Sequence, residues 1–227
     1  VSYIALSSSR KAEQNKLWVA MSKETAHQLG TPTSSLSGWI EILQNRYPDI
    51  DITRELELDV KRLEKVTERF SRIGSKPALK PENIAAILMR SMEYLKSRTS
   101  SKVNFISGFD PGKEVIVPVN PALFEWVIEN ILKNAIDAME GSGEITVRIL
   151  PGEKTIIDIS DTGKGIPKRA FRKIFNPGFT TKKRGWGMGL SLARRIIEEY
   201  HDGKIFVRSS EPGKGSCIRI VMNSKET

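Results

Sequence analysis

The chain has 227 residues, of which 39% are hydrophobic and 28% are charged. This composition is typical of a globular protein of one or two domains, and it excludes a disordered or membrane-embedded chain. The single cysteine, Cys217, excludes a disulfide framework and a cysteine-based zinc site, and it favours a reducing compartment. The formal net charge of +9 suits a polyanionic ligand. Because basic residues do not alternate with aromatic ones in a groove-like run, we do not expect the ligand to be nucleic acid.

The chain opens with a short apolar segment at residues 3–6, followed by Arg10, Lys11 and Lys16. Basic residues mark the cytoplasmic ends of transmembrane helices. We therefore expect a cytoplasmic fragment that follows a transmembrane region missing from this chain; a frayed helix end is the alternative. No run of about 18 apolar residues follows, so no segment of the sequence itself is expected to span a membrane.

Residues 1–74 are predicted to form a helical hairpin. Apolar residues recur every seven positions in two segments separated by Pro48-Asp49, which is the pattern of a coiled-coil seam. One hairpin has little to bury this seam against, so we expect a homodimer that forms an antiparallel four-helix bundle. Packing against a second domain is the alternative. The seam residues are Leu29, Leu36, Leu43, Leu56, Leu63 and Phe70.

Residues 75–81 are expected to form a linker, and residues 82–227 a second domain with a mostly antiparallel sheet and segregated helices. This arrangement defines an α+β sandwich. The predicted helices cover residues 82–97, 121–139 and 187–200, and the predicted strands cover 104–107, 115–117, 145–149, 155–160, 205–207 and 218–222.

Three polar residues share one face of the helix predicted from Pro121. Asn130, Asn134 and Asp137 lie at i, i+4 and i+7 on an otherwise apolar helix. Asparagine is a poor helix former, so the pair at spacing four suggests a function. An amide oxygen suits Mg²⁺ that keeps its waters and bridges phosphates. A solvent-facing stripe is the alternative.

Two glycine-rich segments follow. Residues 161–166, with Asp161, Gly163 and Gly165, come directly after a strand; the glycines allow close backbone approach, and the carboxylate can accept a hydrogen bond from an amine such as that of adenine. Residues 187–190 open a helix whose free N–H groups and positive dipole end suit phosphates. No βαβ unit surrounds them, which excludes a dinucleotide-binding fold.

The loop before this helix carries Thr181 and three cations at residues 182–184, beginning with Lys182. Long glycine-punctuated loops in compact domains are usually lids or binding loops. The cations can therefore meet nucleotide phosphates, and a solvated charge run is the alternative.

These motifs, with Gly213-Lys214-Gly215-Ser216 before the last strand, occur in an order that resembles the ATP-binding domain shared by histidine kinases, gyrase, MutL mismatch-repair proteins and heat-shock chaperones. The resemblance covers residues 76–222 and implies ATP and Mg²⁺ as cofactors. It implies that Asn134 binds Mg²⁺ with Asn130 beside it, and that Asp161 binds adenine. The other residues that it assigns to the nucleotide site are Gly163, Gly165, Thr181, Lys182, Gly187, Met188, Gly189 and Leu190.

Residues 26–32, Ala-His-Gln-Leu-Gly-Thr-Pro, resemble the phosphoacceptor box of bacterial sensor histidine kinases. The resemblance implies that His27 accepts phosphate and that Thr31 orients water for dephosphorylating a response regulator. The family pattern has an acid after the histidine, where this chain has Gln28. A glutamine oxygen can fix the ring tautomer but cannot act as a base, a role worth about 10²–10⁴-fold in rate.

The ATP-hydrolysing members of this superfamily resemble one another in a glutamate four residues before the metal-binding asparagine. Asn130 occupies that position here and cannot take a proton. Glu129 is adjacent, but it lies about 100° around the helix. We therefore expect ATP to be held for transfer to a side chain.

The sequence thus predicts the cytoplasmic core of a two-component sensor histidine kinase from a bacterial protein anchored in the inner membrane. ATP phosphorylates His27, and the phosphate passes to an aspartate on the receiver domain of a response regulator, with regulator phosphatase activity in addition. One alternative is a kinase-impaired scaffold or phosphatase that binds ATP without phosphorylating itself, which Gln28 would explain. The other is an ATPase of the gyrase or chaperone type. His201 is expected to be structural.

Overall fold

The computed structural model describes residues 29, 32–47, 77–182 and 187–224, together with the single positions 56, 57, 60, 61, 63, 64 and 67. The chain divides into two compact units, Val1–Lys76 and Pro77–Thr227. None of the helices in this described part is long and apolar enough to cross a membrane.

The first unit contains helix α1, residues 32–46, and a second helical segment described at positions between 56 and 67. Two side-chain hydrogen bonds join these segments. The Ser37 hydroxyl donates to Glu64 at 2.9 Å, and the Gln44 amide donates to Glu57 at 3.2 Å. The later residue of α1, Gln44, pairs with the earlier residue of the second segment, Glu57. The two segments therefore run antiparallel, as the legs of a helical hairpin do.

Large apolar side chains lie on the surface of the first unit. Ile40 and Val60 are buried, each with 6% exposure, but Trp39 is 59% exposed. Residues 36, 39 and 43 lie on one face of α1 because their spacing follows the helical repeat. The other exposed large apolar residues are Leu36, Ile42, Leu43, Tyr47, Leu56 and Leu63.

The second unit contains a five-stranded sheet with the strand order β2-β4-β5-β7-β6 and a two-stranded sheet that pairs β1 with β3. All strand pairs are antiparallel except the parallel pair β2–β4. The strands are β1 (Lys80–Asn83), β2 (Val103–Ser107), β3 (Ile116–Val119), β4 (Gly143–Leu150), β5 (Lys154–Asp161), β6 (Lys204–Glu211) and β7 (Gly215–Asn223).

The described part of this unit contains three α-helices: α2 (Ile84–Lys96), α3 (Pro121–Ala138) and α4 (Gly189–Arg195). A π-helical turn, Ile196–Tyr200, continues α4, and short 3₁₀ turns occupy Lys168–Ala170 and Lys173–Phe175. Asn83 and Asn120 cap α2 and α3: their side-chain oxygens accept from the amides of Ala85 and Leu123 at 3.1 and 3.2 Å.

The helices pack on one face of the large sheet and enclose the core. Alternating strand residues such as Ile145, Val147, Ile157 and Ile220 are almost fully buried, as the two-residue period of a half-covered sheet requires. The long helix α3 contributes the apolar side that faces them. Its buried apolar residues are Leu123, Phe124, Trp126, Val127, Ile128, Ile131, Leu132 and Ala135. This architecture confirms the predicted α+β sandwich.

The opposite face of the sheet carries a buried carboxylate. Asp158 is 2% exposed and accepts two hydrogen bonds from the Arg219 guanidinium at 2.7 Å and one from Arg208 at 3.0 Å. The two arginines come from β7 and β6, so the cluster joins three strands. The bidentate bond raises the pKa of Arg219 above its usual value.

The predicted final helix differs from the structure in its second half, which is a π-helical turn. His201 explains the difference, since its Nδ1 bonds to the carbonyl of Ile196 at 2.8 Å, five residues back. Its Nε2 accepts from the Asn120 amide at 3.0 Å, so Nδ1 carries the proton and the ring is neutral. The residue expected to be structural therefore links the start of α3 to the end of the π turn.

A further difference is strand β1, which begins at Lys80, inside the segment predicted as linker and helix. It pairs with β3 through the register Lys80↔Val119 to Asn83↔Ile116. The partner strand is more than 30 residues away in the sequence, so no local pattern could reveal this pairing.

Candidate nucleotide-binding site

Asp161 stands at the end of β5 with both carboxylate oxygens engaged. One oxygen accepts from the Gly163 amide at 2.8 Å, and the other accepts from the Ser216 hydroxyl at 2.6 Å. The antiparallel register sets Ser216 of β7 directly opposite Asp161. Neighbouring donors therefore hold the carboxylate in one orientation, with lone pairs left for a further donor.

The turn after Asp161 passes tightly under the end of α3. The amide of Lys164 donates to the Ala138 carbonyl at 2.9 Å, and a Cβ added to Gly163 would lie 2.6 Å from that carbonyl. Only glycine fits there, because a side chain would enter the backbone of α3. The close approach places Asp161 and the last turns of α3 beside one another, with Gly165 following in the same turn.

Asn130 faces the start of α4. A Cβ added to Gly189 would lie 3.4 Å from the Asn130 amide oxygen, so the absence of a side chain leaves room between them. The Asn130 Nδ2 is buried and has no hydrogen-bond partner within the described structure. A buried donor without a partner is costly, and it suits an acceptor brought by a ligand.

Asn134, one turn further along α3, holds a cation from the protein. The Nζ of Lys182 lies 3.0 Å from the Asn134 amide oxygen and also contacts the Asp137 carboxylate. The Thr180 hydroxyl oxygen accepts from the Lys182 amide at 3.1 Å, which shapes the loop at this point. Thr181 is exposed in the same loop.

The residues after the loop return close to its beginning. The Gly178 amide donates to the Gly187 carbonyl at 3.1 Å, and Gly187 has a φ of +65°, which favours glycine. Met188 and Leu190 are half-buried on either side of Gly189, where α4 begins.

These residues fit a magnesium ion that arrives with nucleotide. The Asn134 oxygen already accepts from an ammonium group, which stands in for a metal cation. No group of three histidine, cysteine, aspartate or glutamate residues suited to a metal occurs in the part of the chain that is described. A bound Mg²⁺ would therefore take its remaining ligands from phosphates and water, as Mg²⁺ commonly does.

Glu129 precedes Asn130 on α3 and is buried. It is 7% exposed, and its carboxylate accepts from Lys133 Nζ at 3.3 Å. A buried, ion-paired carboxylate is poorly placed to take a proton from water.

Several predicted site residues lie outside the described residues: His27, Gln28, Thr31 and the cations at 183–184. Of the predicted groups that the structure describes, Gly163, Lys182 and Gly189 lie against the second half of α3. Asp161 adjoins them through its bond to the Gly163 amide. Sequence reasoning missed two partners, the hydroxyl of Ser216 on Asp161 and the Asp137 carboxylate on Lys182. The strand register would have identified Ser216, and the i, i+3 spacing from Asn134 marked Asp137.

Residues 120–226 match the family described as histidine kinase-, DNA gyrase B-, and HSP90-like ATPase. The match spans α3 to β7 and contains Asn130, Asn134 and Asp161. Fold and site together define an ATP-binding domain of this class.

Named proteins narrow the class. Sporulation kinase C of Bacillus subtilis (strain 168) is 27% identical over 221 residues, which are 95% of this chain and 51% of that protein. The chain thus spans about half the length of this curated relative. The catalytic domain of histidine kinase ThkA aligns with this chain at a TM-score of 0.57 and 26% identity. The alignment covers 65% of this chain and 97% of the ThkA chain. The second unit therefore carries an ATP-binding domain of this class, and the chain is similar to bacterial histidine kinases.

A second ThkA structure, in complex with response regulator protein TrrA, aligns with a TM-score of 0.60. The alignment covers 98% of this chain and 66% of the ThkA chain. At 22% identity this likeness shows the fold alone.

Proposed function

We propose that this chain is the core of a two-component sensor histidine kinase that uses Mg-ATP to phosphorylate His27. The carrying observation is the pair of asparagines on α3. Asn130 presents a buried Nδ2 without a partner in the described structure, and Asn134 presents an oxygen that holds a cation. The Asn130 N–H groups can donate to phosphate oxygens, and the Asn134 oxygen can bind the metal ion that accompanies the phosphates.

Each residue of the site has a separate role in holding ATP. Asp161 accepts a hydrogen bond from the exocyclic amine of adenine, since both its oxygens keep a free lone pair. Asn130 donates to a phosphate oxygen, and Lys182 neutralises phosphate charge. Mg²⁺, when bound at Asn134, would withdraw charge from the phosphates and align them for displacement.

The transfer step moves one phosphoryl group. A neutral imidazole nitrogen of His27 attacks the γ-phosphorus, the new N–P bond forms as the bond to the bridging oxygen of ADP breaks, and the ring then loses its other proton to solvent. Gln28 orients the ring by accepting from that N–H. The phosphate next passes to an aspartate carboxylate of a response regulator, the kind of partner with which ThkA was solved.

The site favours transfer over hydrolysis. Water needs a base to attack phosphorus efficiently, and Asn130 stands where the resemblance to hydrolysing relatives calls for a glutamate. The adjacent Glu129 is buried and bonded to Lys133. We therefore expect bound ATP to be hydrolysed slowly and to transfer its γ-phosphate to His27 instead.

The first unit is proposed to dimerise and to take part in both phosphorylation and dephosphorylation of the response regulator. The exposed leucines and Trp39 of α1 supply an apolar surface for a second copy, which would complete a four-helix bundle. Thr31 would orient water against the regulator's aspartyl phosphate, a reaction that needs no base at Gln28.

Gln28 also favours a second candidate, a regulator phosphatase that binds ATP without phosphorylating itself. Incubation of the full chain with Mg-ATP labelled at the γ-phosphate separates the two. We expect acid-labile label that is lost in His27→Ala and Asn134→Ala and kept in the control Glu140→Gln.

Label that survives His27→Ala would refute the acceptor assignment. ATP binding with no label, combined with dephosphorylation of a phosphorylated regulator, would establish the second candidate. Steady ATP hydrolysis in His27→Ala would instead indicate an ATPase.

A further inference from the structure

The contact between Lys182 and α3 joins a loop to the face of the helix that carries the metal-binding asparagine. The Lys182 ammonium has two acceptors there, the Asn134 oxygen at 3.0 Å and the Asp137 carboxylate. These acceptors lie at i and i+3 and thus on neighbouring positions of the helix surface. A single cation is held between a neutral oxygen and a charged one.

Asp137 is otherwise unfavourably placed. It lies in the last turn of α3, near the negative end of the helix dipole, and that turn contains no basic residue. It also borders the site proposed for a polyphosphate, whose charge it would repel. A cation beside Asp137 offsets both repulsions, because it neutralises the carboxylate. The negative end of the helix dipole then also attracts that cation.

The two acceptors match the needs of a hydrated magnesium ion. Mg²⁺ binds few protein groups directly and keeps several waters. An amide oxygen can bind the ion itself, and a carboxylate one helical step away can accept from one of its waters. The Lys182 ammonium makes the same pair of interactions, with its N–H groups in place of the metal and its water.

We propose that Asp137 is a positioning residue of the magnesium site, holding a water of the ion bound at Asn134, and that Lys182 occupies the ion's place while the site is free of nucleotide. This inference rests on the proposed ATP site. When Mg-ATP enters, the ion takes the place between Asn134 and Asp137, and Lys182 moves to the phosphates. Two cations thus exchange places without leaving Asp137 uncompensated.

The exchange makes ATP binding depend on magnesium through Asp137. Metal-free ATP is repelled by the Asp137 carboxylate and competes with it for the Lys182 ammonium. When Mg²⁺ accompanies ATP, the ion neutralises Asp137 and leaves Lys182 free for the phosphates. Replacing Asp137 by the isosteric, uncharged asparagine should therefore strengthen binding of metal-free ATP and weaken the gain that Mg²⁺ confers.

The test is calorimetric titration of the full chain with ATP, once in EDTA and once in MgCl₂. For Asp137→Asn we expect the Kd for metal-free ATP to fall about twofold to fivefold, and the ratio of the two Kd values to shrink about fivefold, in line with the loss of one partly exposed charge interaction. Asp137→Glu should keep most of the ratio. Glu140→Gln removes an exposed charge three residues further on and should change neither Kd.

The outcomes are distinguishable. If the unaltered chain binds ATP in neither condition, the proposed function fails. If it binds ATP and Asp137→Asn keeps the unaltered ratio, the role of Asp137 is overturned while the ATP site stands. Equal strengthening in both conditions also overturns that role, because simple repulsion does not involve the metal. Thermal unfolding of each variant verifies that it is folded.

Discussion

At Asp161, two fixed donors decide what the carboxylate can recognise. Gly163 N–H and Ser216 O–H each occupy one oxygen, so an amide in place of the carboxylate must point its NH₂ group at a donor. We predict that Asp161→Asn weakens ATP binding about a hundredfold, since hydrogen bonds to a charged group are worth about 1.5–3 kcal/mol each. Titration calorimetry with Mg-ATP measures the change.

Ser216→Ala is the matched control for this site. It removes one of the two donors but leaves the carboxylate, so we expect a loss of affinity below about tenfold. Equal losses in both variants would mean that the orientation of Asp161, and not its charge, determines ATP binding.

At the level of elements, His201 connects α3 to the π-helical turn after α4, and it does so only as a neutral ring. Burial lowers the pKa of His201 below its usual 6.5. As the pH falls below about 6.5, the unfolded chain binds a proton that the folded chain resists. Stability is therefore fully present above pH 6.5 and is lost toward the folded pKa, by at most about 1.4 kcal/mol per pH unit.

Urea unfolding of the second unit between pH 7.5 and 5 tests this expectation. His201→Gln keeps a donor and an acceptor but does not titrate, so its stability should fall less steeply than that of the unaltered chain. Parallel pH profiles would show that other groups cause the acid sensitivity.

For the whole molecule, the apolar surface of the first unit decides whether the protein acts alone or in pairs. Leu43 is 38% exposed in the protomer, and its burial in a dimer would involve both copies. We predict that Leu43→Glu weakens dimerisation by about a hundredfold, from the loss of about 1.5 kcal/mol or more per side chain.

Sedimentation equilibrium gives the dimer dissociation constant. Leu150→Glu is the control, because Leu150 is comparably exposed, at 47%, but belongs to the second unit. A protein that is monomeric without any substitution would contradict the bundle.

Most of the second unit could be predicted from local patterns. The alternation at Ile145, Val147 and Ile149 indicated a strand, and the Asn120-Pro121 start indicated helix α3, because both signals depend on neighbouring residues. Strand β1 and the π-helical turn could not be predicted in this way. One depends on pairing with β3, and the other accompanies the bond between His201 and Ile196.

By itself the sequence determined the order of the glycine and asparagine motifs, and with it the class of ATP-binding domain, because backbone freedom and side-chain chemistry are carried by single residues. Only the tertiary structure decided which groups serve each other: Ser216 for Asp161, Lys182 for Asn134 and Asp137, His201 for Asn120. Those partners are about 45 to 80 residues apart. They meet because strand register and helix packing bring them within hydrogen-bond distance, which no local pattern encodes.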